Sequence, residues 1–137
     1  MPRAAAHVPC FVLSLSLAAL IASSPAQAEI DCANVATTVE MNFCAEKDYT
    51  AADKALNAAY ASAIASIRTR DLEKPYDAAS FEGALRNAQR AWIAYRDYDC
   101  RDLVAHEWSG GSGATSAILL CMTEKTIQRT KELKERF

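Results

Sequence analysis

The sequence predicts an all-α fold, a small antiparallel bundle of three main helices joined by two disulfides, and three observations carry that expectation. Apolar residues recur at steps of three or four along the chain, with little strand-like alternation. Pro75 and the run Ser109-Gly110-Gly111-Ser112-Gly113 cut the helical pattern into three stretches. Four of the five cysteines lie beyond an N-terminal export leader.

The first helix opens at Thr37-Thr38-Val39-Glu40, a T-x-x-E capping box in which Thr37 and Glu40 satisfy the free amides of the first turn. It is expected to run from 38 to about 70. Eight of the sixteen residues from Ala51 to Ser66 are alanine, the strongest helix former. Tyr49, Ala52, Leu56, Tyr60, Ile64 and Ile67 form one apolar stripe.

Pro75 ends that helix, and Asp77 or Ser80 can cap the next. The second helix is expected to reach about Trp108, with Leu85, Ala88, Trp92, Tyr95 and Leu103 on or near one face and Gln89, Arg96 and Cys100 beside it. The glycine-rich run stops it. A third helix, capped by Thr115 or Ser116, carries Ile118, Leu119, Met122, Ile127 and Leu133. Lys131, Lys134 and Arg136 lie towards the negative end of its dipole.

Residues 1–28 have the form of a secretory leader, and 29–137 are expected to be the functional domain. Arg3 precedes an apolar run from Phe11 to Ala22, and Ala26-Gln27-Ala28 fits a cleavage site. The run is shorter than the ~20 residues needed to span a bilayer. Neither Cys10 nor Cys32 follows the pattern of a lipid-attachment site. The mature protein is therefore expected in the periplasm or outside the cell, without a stable membrane anchor.

Hydrophobic residues make up 51% of the chain and charged residues 23%, which argues for a folded core rather than disorder. Loss of Arg3 takes the formal charge from −2 to −3. No basic patch stands out, so nucleic acid is not an expected partner, while an acidic balance suits a basic protein.

Export makes disulfides the expected state of Cys32, Cys44, Cys100 and Cys121. Their spacings of 12, 56 and 21 residues do not match the close pairs of structural zinc sites. Three pairings are possible. Chain order favours Cys32 with Cys44 and Cys100 with Cys121, and peptide mapping under non-reducing conditions decides among them.

Catalytic chemistry is poorly represented. His106 is the only histidine beyond the leader, and paired cysteines leave no thiol nucleophile. Asp97, Asp99, Asp102 and Glu107 concentrate carboxylates of the kind glycosidases use, but Arg96 and Arg101 are interleaved with them, as on a solvated face. The glycine run lacks the Lys-Ser/Thr of a phosphate loop. No catalytic residue, cofactor or metal is expected. At helical spacing Arg96 can stack on Trp92, and Tyr95 pairs with Asp99, while Asp53, Asn57 and Tyr60 can fix helix register.

Taken in order, Cys32, Thr38, Glu40 and Cys44 are followed by Tyr49-x-x-Ala52-Asp53-x-x-Leu56-Asn57-x-x-Tyr60. Then come Gln89-x-x-Trp92-Ile93-x-Tyr95-Arg96-Asp97-x-x-Cys100, Gly110-Gly111-Ser112, Cys121, Thr126, Arg129 and Leu133. This pattern, spanning Cys32 to Leu133, resembles the LprI-like lysozyme inhibitor family of small secreted bacterial proteins. The resemblance implies an all-helical, disulfide-linked envelope protein and, by extension, inhibition of lysozyme. The chain departs from the lipoprotein type in lacking its lipidated cysteine. Lys125 stands where members commonly carry leucine, and its stem is expected to lie along the bundle.

The function so implied is a non-catalytic inhibitor that occupies the cleft of a lysozyme-type muramidase. Asp99, Asp102, Glu107, Gly110, Gly111 and Ser112 are the expected contacts. The alternatives are a helical module for another envelope protein or cell-wall fragment and, behind it, a cell-wall hydrolase using Asp97 or Glu107.

Overall fold

A computed structural model describes residues 30–137. The expected leader, 1–28, lies outside the described residues. Among those described there is no strand, and the three-helix expectation holds: α1 (Thr38–Arg68), a second rod, and α4 (Ala114–Arg136). The second rod is α2 (Ala78–Asp97), a π-helical stretch (Tyr98–Leu103) and a last turn, α3 (Val104–Glu107).

The N-terminal capping box forms as expected. Thr37 Oγ1 accepts from the Glu40 amide at 3.2 Å, and Glu40 Oε2 accepts from the Ala36 and Thr37 amides, each at 2.9 Å. These amides hold the Glu40 carboxyl below its usual range. Upstream, Asp31 Oδ1 accepts from the Ala33 amide at 2.9 Å, shaping the turn that brings Cys32 to Cys44.

α1 and α4 form the largest helix pair and run in the same direction. The bonds along them show this: Ser66 Oγ donates to the Phe137 carbonyl at one end, while Asp53 and Thr126 meet the same Arg96 further back. α2 runs against both. Ala52, Ala59 and Ala63 are buried on α1 and let the helices approach closely. Opposite them α4 buries Leu119, Met122 and Leu133 together with Thr123, Thr126 and Thr130. The hydroxyls of Thr123 and Thr130 donate to the carbonyls four residues earlier, both at 2.8 Å, so these polar groups are satisfied within the helix.

The apolar core sits at one end of the bundle. Leu56, Ile64 and Ile67 of α1 meet Leu85 of α2 and Leu133 of α4 there, with Phe81, Trp92 and Phe137 packed around them. Arg68 and Glu82 tie α1 to α2 across the Pro75 turn, at 2.6 Å. Towards the other end the bundle is cross-linked. Both favoured disulfides are present, Cys32–Cys44 and Cys100–Cys121, each with Cα atoms 5.6 Å apart.

Three details differ from the sequence expectation. The inward face of the second rod is Leu85, Gln89, Trp92, Arg96 and Cys100, while Ala88, Tyr95 and Leu103 face solvent. Its polar members fit because Arg96 meets Thr126 of α4 and Asp53 of α1, and Gln89 meets Arg129 of α4, rather than more hydrocarbon. On α4, Ile127 is exposed. Finally, α4 starts at Gly113 with no side-chain cap, and Ser116 instead donates its hydroxyl to the Gly113 carbonyl.

The glycine run ends the second rod as expected. Ser109 and Gly110 take positive φ, and the Gly110 amide reaches back to the Ala105 carbonyl at 3.1 Å, a left-handed helix termination. A Cβ on Gly113 would run into the Trp108 ring, so glycine there makes room for the indole.

Candidate functional site

Nine of the residues that carried the family resemblance, Tyr49, Asp53, Asn57, Gln89, Trp92, Arg96, Asp97, Thr126 and Arg129, meet along a seam between the three long helices. Arg96 is at its centre, buried at 6% exposure. Its guanidinium holds Asp97 Oδ1 from two nitrogens, at 2.9 and 3.0 Å, donates to Thr126 Oγ1 at 3.3 Å and lies 3.7 Å from Asp53. It also lies over the Trp92 ring, 5.2 Å from the centroid, and the Tyr49 ring, at 5.6 Å. Burial pushes the Tyr49 phenol above its ordinary value, against the opposing pull of Arg96.

A second arginine extends the seam. Arg129 of α4 donates to Gln89 Oε1 at 3.1 Å, pairs with Glu132 at 3.0 Å and lies over Trp92 at 6.0 Å. Asn57 donates to Asp53 at 2.9 Å, and Tyr60 packs against the core. These contacts link Asp53, Asn57, Gln89, Trp92, Arg96, Asp97 and Arg129 to one another within the fold. The stacking expected of Trp92 and Arg96 is present.

The residues expected to touch a partner fall in two places. Asp99 and Asp102 line a shallow concavity of about 400 Å³ with Tyr95, Tyr98 and Leu103, just past the end of α2. Glu107, Gly110, Gly111 and Ser112 lie further on, exposed in and around the turn that ends α3. Lys125 of α4 binds two residues of the concavity's lining: the ammonium is 2.9 Å from Asp99, donates to the Tyr95 hydroxyl at 3.0 Å, and lies 4.8 Å from the Tyr95 centroid. Asp99 first, and then Tyr95, holds the Lys125 ammonium above its usual pKa. The expected Tyr95 and Asp99 pair is therefore joined through a lysine from another helix.

Asp99 also lies close to the Cys100 and Cys121 sulfurs. Those sulfurs are bonded to each other and offer no thiolate, so this group is not a metal-binding set.

Two features were not picked out from sequence. Tyr98 belongs to the concavity, and its only sequence signal was an aromatic off the inward stripe of its helix. A groove of about 590 Å³ also opens between α2 and α4 near the core end, where Phe81, Ala84, Leu85 and Ala88 face Leu133 and Phe137, with Arg129, Glu132, Glu135 and Arg136 along the α4 side. It arises because α2 and α4 touch each other little.

Residues 31–133 match the family model described as lysozyme inhibitor LprI. The chain is 40% identical over 126 residues to an uncharacterised protein of Rhizobium meliloti (strain 1021), covering 90% of each. No solved structure matches. No helix of the described residues is long and apolar enough to cross a membrane, and the two disulfides fit an oxidising compartment.

Proposed function

The chain belongs to the lysozyme inhibitor LprI family, and on that premise we propose that it is an exported, non-catalytic protein that binds a lysozyme-type muramidase and blocks its cleft. The observation that carries this reading is the match to the inhibitor family over nearly the whole described chain. In this reading residues 1–28 are removed on export, and 29–137 act in the periplasm or outside the cell.

The geometry supports a binding role over a catalytic one. Asp97, the residue a hydrolase would draw on, is engaged by Arg96 inside the seam, and Glu107 stands exposed in the last turn of the second rod. All four cysteines beyond the leader are cross-linked. Lysozymes cut glycan with two carboxylates in a cleft, so an inhibitor need only exclude substrate. The Asp99 and Asp102 concavity, with the turn from Glu107 to Ser112, is the surface we assign to that contact. An acidic domain also approaches a basic muramidase faster through long-range attraction.

The alternative, a module for another envelope protein or a cell-wall fragment, would draw on the groove between α2 and α4. A lysis assay separates the two. The mature protein is expected to slow muramidase-driven lysis of bacterial cells at near-stoichiometric dose, tested against several lysozyme types. No slowing of any of them at large excess overturns the inhibitor reading.

A further inference from the structure

The end of α2 and the π-helical stretch after it read Tyr95-Arg96-Asp97-Tyr98-Asp99-Cys100-Arg101-Asp102, in which a tyrosine is followed four residues later by a carboxylate twice, as Tyr95/Asp99 and Tyr98/Asp102. Both pairs line the same concavity. The first is filled from within the protein. Lys125 gives it a salt bridge of 2.9 Å, a hydrogen bond of 3.0 Å to the phenol and a cation over the ring at 4.8 Å. Charge, hydrogen bond and ring face together recognise one ammonium group.

The second pair has the same groups and no such occupant. Tyr98 is 70% exposed, and among the described residues no cation pairs with Asp102. Leu103, 56% exposed, adds an apolar wall along which the stem of a lysine or arginine can lie. Arginine and lysine are the side chains whose charge and stem suit a phenol, a carboxylate and a hydrocarbon wall at once.

We propose that Tyr98 and Asp102 receive a lysine or arginine side chain of the protein partner, as Tyr95 and Asp99 receive Lys125. The identity of that partner as a basic muramidase rests on the inhibitor reading; the chemistry of the pocket does not. The domain's acidic balance is complementary to such a partner. The site also gives the inhibitor a defined anchor, since tyrosine and arginine pairs are frequent centres of binding energy in protein interfaces.

The test uses the mature protein with Asp102→Asn, Tyr98→Ala and, as a charge-matched control at the other end of the bundle, Asp71→Asn. All three sites are exposed, and circular dichroism with thermal melting checks that each variant folds as the parent does. The expected result is that D102N and Y98A each weaken inhibition about tenfold or more, while D71N does not. If the parent inhibits and both variants match it, the pocket assignment is overturned and the inhibitor reading stands.

If the parent inhibits no muramidase, the inhibitor reading falls and a second measurement decides the pocket. A short lysine- and arginine-containing peptide and, separately, a soluble muropeptide are titrated into the labelled protein and followed by NMR. Peptide-induced shifts at Tyr98 and Asp102 that vanish in D102N uphold the pocket. No peptide shift there, or shifts with the muropeptide alone, overturn it.

Discussion

Arg96 shows what a single buried charge does in so small a domain. It reaches carboxylates on two helices and a hydroxyl on a third, and its flat guanidinium lies near two aromatic rings. Hydrogen bonds to charged groups are worth roughly 1.5–3 kcal/mol each. Asp53 and Asp97 keep about 40% of their side chains in solvent, at 41% and 40%, and water takes over part of what they lose. Arg96→Met keeps the stem and removes the fork, so we expect it to lower unfolding stability by about 2 kcal/mol in urea titration. An unchanged midpoint would mean that the seam contributes register rather than stability. The Trp92 stack was legible because residues four apart share a helix face. Asp53 and Thr126 were not, because 43 and 30 residues of chain separate them from Arg96 and no local rule spans that distance.

At the scale of the element, the second rod keeps one face inward by changing its winding. From Trp92 its inward positions are 96, 100 and 104, three successive steps of four. In a helix of 3.6 residues per turn each such step overshoots by about 40°, and three would carry Val104 about 120° away from the face. The wider π-helical turn at Tyr98–Leu103 absorbs the drift and leaves Cys100 fully buried opposite Cys121. No residue type announces such a turn, which is why the sequence read as one uniform helix. The junction of α1 with α2 behaves differently and is pH-dependent. Hydrogen bonds from Arg68 and then Arg86 hold the Glu82 carboxyl at about 2, against its usual 4.5. A carboxyl depressed in the folded state adds stability that is complete above the usual value and is lost as pH falls through the depressed one. Between about pH 4.5 and 2 the protein should therefore lose more stability than Glu82→Gln, whose acid limb is flatter. Urea unfolding of the two at a series of acid pH values checks this, and parallel curves would refute it.

For the molecule as a whole, the apolar core gathers at one end of the bundle and the two disulfides lie towards the other. A domain of this size buries only about two thirds of its unfolded surface and has about 5–15 kcal/mol of net stability. Closing the Cys100–Cys121 loop of 21 residues is worth about 3 kcal/mol on the chain-entropy model. Cys100→Ser with Cys121→Ser is thus expected to lower the unfolding free energy by about that amount and to loosen the concavity beside it, where Asp99 adjoins the bonded sulfurs. Unfolding of the double variant at the parent's urea midpoint would contradict this. Removing both cross-links is expected to leave little margin, consistent with a chain built for an oxidising compartment.

Much of this architecture was decided by the sequence alone. The capping box at Thr37, the breaks at Pro75 and Gly110 and the favoured disulfide pairing all follow from residues within a turn of one another or from chain order. Only the tertiary structure decided which side of the second rod faces inward and what fills the pocket at its end. That helix carries large side chains on two faces, Trp92 on one and Tyr95 with Leu103 on another. Periodicity gives the spacing within a face but not the choice between faces. The choice depends on the neighbours: Thr126 of α4 and Asp53 of α1 accept Arg96 on the inward side, while Lys125 crosses from α4 to occupy the Tyr95 and Asp99 pair and leaves Tyr98 and Asp102 open.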